Sequence, residues 1–199
     1  MQSRGFTLVE MLAVMTISAI LVALALPSFR SIIRSSQISS TSNDLLASID
    51  LARSEAIRRN VTVSICRSLD PQNVAPNCSS AVANGYAAND WSSGWITFAK
   101  APANLNNAVL EAGDELIARR SPPAVPAPER LIVESTMNNP QQMAYGPNGL
   151  RSGGNFGTFF IDHRDVQVAV RTAQARCLAI GFTGRARVAA VVNDLCPAA

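Results

Sequence analysis

Gly184-Arg185-Ala186-Arg187 sets two guanidiniums two positions apart behind a glycine. Side chains alternate along a strand, so Arg185 and Arg187 would share one face, roughly 7 Å apart by strand rise. That separation suits adjacent phosphates, and the planar fork of arginine matches phosphate geometry. Read from spacing alone, the same pair also suits a plainer role, as charges on an edge strand that discourage sheet-to-sheet pairing. Upstream, residues 148–155 read Asn-Gly-Leu-Arg-Ser-Gly-Gly-Asn. Their glycines would let backbone approach a phosphate, with Arg151 adding charge, although an ordinary hairpin loop has the same composition. Arg171 and Arg176 flank the penultimate expected strand and would either extend a basic patch or be solvated surface.

Other reactive types point away from catalysis. Asp162-His163 offers one imidazole beside a carboxylate, and no partner nucleophile is marked. No phosphate-binding P-loop or dinucleotide glycine motif occurs. We therefore expect no enzyme, no catalytic residues and no cofactor. The spacings of Cys66, Cys78, Cys177 and Cys196 match no zinc signature, and His163 has no second histidine to join it, so no metal site is expected. Four cysteines allow three pairings. The local one, Cys66–Cys78 with Cys177–Cys196, is the expectation, and the sequence does not fix it. A chain exported from the cytoplasm would oxidise these cysteines.

These residues must be carried by something. The chain has 199 residues and a formal net charge of +3; Lys100 is its single lysine. A mild charge of this kind favours no strong electrostatic partner by itself. Residues 6–27 form an apolar run long enough to cross a membrane, at about 20 residues for ~30 Å of hydrocarbon. Thr7, Thr16 and Ser18 interrupt it, but their hydroxyls can bond back to helix carbonyls. Glu10 is the costly exception, on the order of 2.5–3.5 kcal/mol at mid-bilayer. The run reads as a membrane anchor, as a secretory signal cut near Ala23-Leu24-Ala25, or as a leader cut between Gly5 and Phe6. Beyond Pro27, where a kink or local break is expected, Ile38, Leu45, Ile49, Ala52 and Ala56 recur at helical spacing. Asp44, Asp50, Arg53 and Arg58 lie mostly elsewhere. One long helix from Phe6 to about Arg59 is expected, apolar all round at first and amphipathic after.

Short β-prone stretches follow at 61–67, 94–99, 115–119, 130–135, 142–145, 156–162, 175–182 and 185–192. Residues 70–89 read as a loop tied by cysteines. Residues 122–128 form a proline-rich turn. Trp91, Trp95, Phe159 and Phe160 are expected in the core rather than as stacking platforms. The fold class is α+β: a long N-terminal helix packed on an antiparallel β-sheet.

The string RGFTLVEMLAVMTISAIL at 4–21 resembles the leader of type IV pilins and pseudopilins. The resemblance implies a peptidase cut after Gly5, N-methylation of Phe6, and pairing of Glu10 with the terminal amine of a neighbouring subunit. Domain organisation then reads 1–5 leader, 6–29 transmembrane or filament-core helix, and 30–199 periplasmic globular domain. The helix would lie single-pass in the inner membrane before assembly and in a surface pilus afterwards. Its partners would be the prepilin peptidase and other major and minor pilins.

Residues 45–66, LLASIDLARSEAIRRNVTVSIC, with W-x-x-G-W-I-T-F at 91–98, resemble the FimT/GspH minor pseudopilins. Tyr145-Gly-Pro-Asn-Gly149 resembles a glycine turn of that family, with Tyr145 where phenylalanine is usual. Gly184-Arg-Ala-Arg187 before a final cysteine resembles the FimT branch. That branch implies binding of double-stranded DNA in natural transformation through Gly184, Arg185 and Arg187; Arg151, Arg171 and Arg176 join the candidate DNA-binding residues by their positions in the sequence, not by the resemblance. The alternative is a structural minor pseudopilin that primes or caps a type IV pilus or type II secretion pseudopilus without DNA.

Overall fold

A computed structural model of the chain describes residues 7–83, 85–102, 110–123, 129–152, 157–165, 174–181, 183–193 and 195–197. It divides into two compact units, Met1–Ser36 and Gln37–Ala199.

Helix α1, Leu8–Arg59, is continuous through position 27. Thr7 caps it: the Glu10 amide donates to Thr7 Oγ1 at 3.3 Å, satisfying one donor that a helix start leaves open. It ends at Asn60, whose φ of 56° reverses the chain in the left-handed region, a conformation asparagine tolerates better than most residues. In the first unit, Thr16 Oγ1 donates back to the Leu12 carbonyl at 2.6 Å. Large apolar residues there stand in the open; Leu8, Leu12 and Leu21 are 76%, 57% and 62% exposed. This stretch is long and apolar enough to cross a membrane.

In the second unit, Ile38, Leu45, Ile49, Ala52 and Ala56 are all buried on one helix stripe. They join a core with Val63, Ile65, Trp95, Val133, Phe159 and Leu178. Trp95 Nε1 donates to Ser48 Oγ at 2.9 Å, so the stripe's one polar atom at that contact is satisfied.

The strands are β1 Val63–Arg67, β2 Trp95–Ala99, β3 Glu115–Arg120, β4 Glu129–Ser135, β5 Gln142–Tyr145, β6 Arg151–Ser152, β7 Gly157–Asp165, β8 Arg176–Ile180 and β9 Ala186–Ala190. They form two antiparallel sheets rather than one, in the orders β3-β2-β1-β5-β6 and β4-β7-β8-β9. All of β1 and β2 is buried because each face has its own cover. One faces α1. The other carries Cys66, Ile96 and Phe98 in a smaller cluster with Cys78 and Leu116, held by the Cys66–Cys78 bridge. The second bridge, Cys177–Cys196, ties β8 to the C-terminal segment.

Trp91 fixes the loop before β2. Its amide donates to Val133 O at 2.7 Å, its indole to Pro140 O at 2.6 Å, and its ring meets Phe159 edge-on. The guanidinium of Arg67 is buried and donates to the carbonyls of Asp90, Ser79 and Ala81. Asp90 in turn accepts from Arg130 Nη2 at 2.7 Å. The single lysine is also internal: Lys100 Nζ lies 2.7 Å from Asp114 Oδ2, both side chains fully buried.

Ile49→Ala should destabilise the globular unit by about 2–5 kcal/mol, the usual cost of deleting a close-packed branched side chain. Asp50→Ala, one position along and exposed, should stay within about 0.5 kcal/mol. Urea unfolding midpoints of the two variants measure the contrast.

Candidate nucleic-acid interface

Strand β9 is the edge of the four-stranded sheet. Its register against β8 pairs Arg187 with Ala179, Val188 with Leu178 and Ala186 with Ile180. Opposed residues in an antiparallel pair share a face. Ala186 and Val188 pack on the main core, so Arg187 projects from the opposite side, and by alternation Arg185 does too. Both arginines are exposed.

The turn ahead of them is tightly built. The Gly184 amide donates to Gly181 O at 3.0 Å, and the Gly181 amide to Arg185 O at 2.9 Å. Gly184 has φ +77°, and a Cβ there would lie 2.7 Å from Tyr145 Cε1 and 3.2 Å from Gly149 O. Only glycine fits both the backbone and the space. The Tyr145 hydroxyl donates to Gly184 O at 2.9 Å. Gly149, at φ +70°, closes the turn between β5 and β6, and its carbonyl accepts from Arg53 Nε of α1 at 3.0 Å. The two glycine turns picked out in the sequence are thus stacked on one another, with Tyr145 between β5 and the arginine hairpin.

Arg151 stands opposite Tyr145 across β5 and β6 and is half-buried. Its Cγ is 3.4 Å from where a Gly184 Cβ would sit. Nη2 lies 3.2 Å from Met137 Sδ, while Nε and Nη1 are buried without a hydrogen-bond partner. Burial lowers the Arg151 pKa from its ordinary value. Its Cγ thus passes the Gly184 turn while its guanidinium is buried at Met137. The structure therefore brings Gly184, Arg185, Arg187 and Arg151 to one region. Arg176 is not part of it. It pairs with Ala190, on the same side as Val188 and away from Arg187, and its Nη1 donates to the carbonyls of Gln174 and Ala175. A basic patch extended along β8 is corrected accordingly. Arg171, the loop positions 153–156, and Gly5 and Phe6 at the leader junction lie outside the described residues. Glu10 is exposed on the first turn of α1.

Asp162 and His163 are buried neighbours on β7. Successive strand residues point to opposite faces, so they do not form a catalytic pair. Arg53 and the Tyr145 hydroxyl were not singled out as site residues from sequence. The available signal was the tyrosine that opens the Tyr145-Gly-Pro-Asn-Gly149 turn: its phenol oxygen is the atom that holds Gly184.

Comparison with known proteins places this geometry. Residues 41–184 match the family model described as type II transport protein GspH. Residues 1–26 match the prokaryotic N-terminal methylation motif. Two crystal structures of the Pseudomonas aeruginosa type IV minor pilin FimU are similar in fold. The form in space group P21 has a TM-score of 0.50 at 18% identity, covering 77% of this chain and 89% of that one. The form in P65 has 0.48 at 18%, covering 76% and 91%. No curated protein matches the chain.

Burial pushes the Tyr145 phenol up to about 12, against the smaller opposing pull of Arg151 and Arg53. The unfolded chain would ionise this phenol near 10, its ordinary value. Above that pH the native state keeps a proton the unfolded state has lost, so stability should fall between pH 10 and about 12. In a tyrosinate absorbance titration, one phenol should ionise near pH 12, and Tyr145→Phe should abolish that step. A phenol ionising at its ordinary value would show the Tyr145 side chain to be solvated.

Proposed function

The chain belongs to the GspH family and is a minor pilin or pseudopilin, and we propose that in this role it binds double-stranded DNA through Arg185 and Arg187 for uptake in natural transformation. The observation that carries this reading is the pair of exposed arginines, Arg185 just before β9 and Arg187 within it, behind a turn that glycine packing and the Tyr145 hydroxyl hold in place. Two forked cations on a rigid edge contact phosphate, not base edges, so binding is independent of sequence. Single-subunit affinity would be weak, in the roughly 10⁻⁴–10⁻⁶ M range of non-specific binding. Several subunits along a filament would add avidity.

In the same reading, the leader 1–5 is removed at Gly5, Phe6 becomes the methylated terminus, and the 6–29 stretch first anchors the protein in the inner membrane with residues 30–199 in the periplasm. A carboxylate in hydrocarbon requires a partner. The terminal amine of a neighbouring pilin would supply one for Glu10. The family description, a type II transport protein, favours a second reading: a structural subunit of a pilus or secretion pseudopilus, with the β9 arginines guarding a sheet edge.

Binding of the full-length protein to duplex DNA, in a neutral detergent and over a range of salt, separates these. Changing Arg185 and Arg187 together to Gln should weaken binding and reduce the log–log salt slope by roughly 1.8, at about 0.9 per phosphate contact. Affinity and slope equal to wild type would return the protein to the structural role. Separately, Glu10→Ala should leave the globular unit folded but sharply reduce the subunit's recovery in sheared filaments. Recovery equal to wild type would remove Glu10 from assembly.

A further inference from the structure

We infer that Arg30 and Arg34 hold α1 at a fixed depth in the bilayer by binding phospholipid headgroup phosphates; this rests on the membrane-anchor reading of residues 6–29. The helix is unbroken from Leu8 to Arg59, so separation in sequence converts directly to height. No residue between Glu10 and Arg30 is ionisable. Helical steps of about 1.5 Å set those two charges about 30 Å apart, the thickness of the hydrocarbon layer. With Glu10 at one boundary, Arg30 falls at the other. Arg34 follows about 6 Å further out, inside the polar headgroup layer that adds roughly 5–7 Å on each side.

The residues around the two arginines suit that level. Phe29, Ile32 and Ile33 stay exposed beyond the 6–27 apolar run, while Arg30 is exposed and Arg34 half-buried. Apolar side chains beside long cationic ones belong at a boundary, where the stems lie along hydrocarbon and the guanidiniums reach out to the phosphates. Spacing i, i+4 brings the arginines to one helix face, where like charges repel and an anion between them removes the penalty. The helix carries no acidic residue between Glu10 and Asp44. A headgroup phosphate is an anion whose geometry matches the guanidinium fork. The same heights give Glu10 a boundary position in the lone membrane subunit, where water reaches its carboxylate. Its need of a cationic partner then begins when the helix leaves lipid for the packed interior of a filament.

The test is depth-resolved quenching. The four cysteines are paired in disulfides, so one introduced cysteine takes a fluorescent label alone. Full-length protein carrying Ile20→Cys or Ile32→Cys is labelled and reconstituted into vesicles of equal parts phosphatidylcholine and phosphatidylglycerol, with spin-labelled lipids as quenchers. The Ile20 site, midway between Glu10 and Arg30, should be quenched most by a spin label at the acyl-chain end. The Ile32 site should be quenched most by a headgroup label, and more when that label rides on phosphatidylglycerol than on phosphatidylcholine. Changing Arg30 and Arg34 together to Gln should abolish the phosphatidylglycerol preference and shift the Ile32 site toward the acyl-chain label. If aqueous iodide but no headgroup label reaches the Ile32 site, or if the double variant keeps the preference, the inference is overturned and the anchor reading stands. Loss of the preference without the shift would show contact but no hold on depth, and the inference fails on that result too. An Ile20 site that no lipid label quenches removes the anchor reading itself.

Discussion

One helix must satisfy two different solvents. In its second half, α1 buries a stripe of small and branched residues from Ile38 to Ala56 against both sheets. In its first half, residues of equal hydrophobicity stand exposed on every side. At about 25 cal/mol for each Å² of apolar surface, leaving such a rod in water is untenable, so its cover comes from lipid or from like helices. Glu10 bears on the same constraint, since a carboxylate in hydrocarbon is costly unless it is paired. The family match at 41–184 and the methylation motif at 1–26 divide the chain along this same line.

Within the second unit, rigidity around the arginine hairpin comes from short contacts between turns. Gly184 and Gly149 press together because neither carries a side chain, and one hydroxyl and one guanidinium satisfy the carbonyls thereby brought inward. Buried carbonyls need such partners. The exposed arginines inherit the order of the turn beneath them. Placing the only lysine inside, against Asp114, leaves the accessible positive charge to arginine, the residue whose fork suits a phosphate.

Much of this was written plainly in the sequence. The helix stripe was legible because its spacing repeats every 3.6 residues over several turns. The exposure of Arg187 on the outer side of β9 agrees with the period-two pattern. The division into two sheets was not legible, because strands such as β1 and β2 are buried on both faces and lose the alternation that marks a side. Strand β6 has two residues, too short for any pattern. Whether Arg176 extends the patch or is solvated surface stayed open, because sequence gives distance along a strand but not register against its neighbour. The contact of Arg53 with Gly149 was invisible because its partners lie 96 positions apart.

The intact mass of the native protein, extracted from membranes or filaments of cells with an active leader peptidase, bears most directly on the claim that the exposed half of α1 is a processed filament rod. A mass equal to the chain beginning at Phe6 plus one methyl group is expected. A chain still carrying Met1, or one beginning near Leu26 after removal of the whole apolar run, would contradict it.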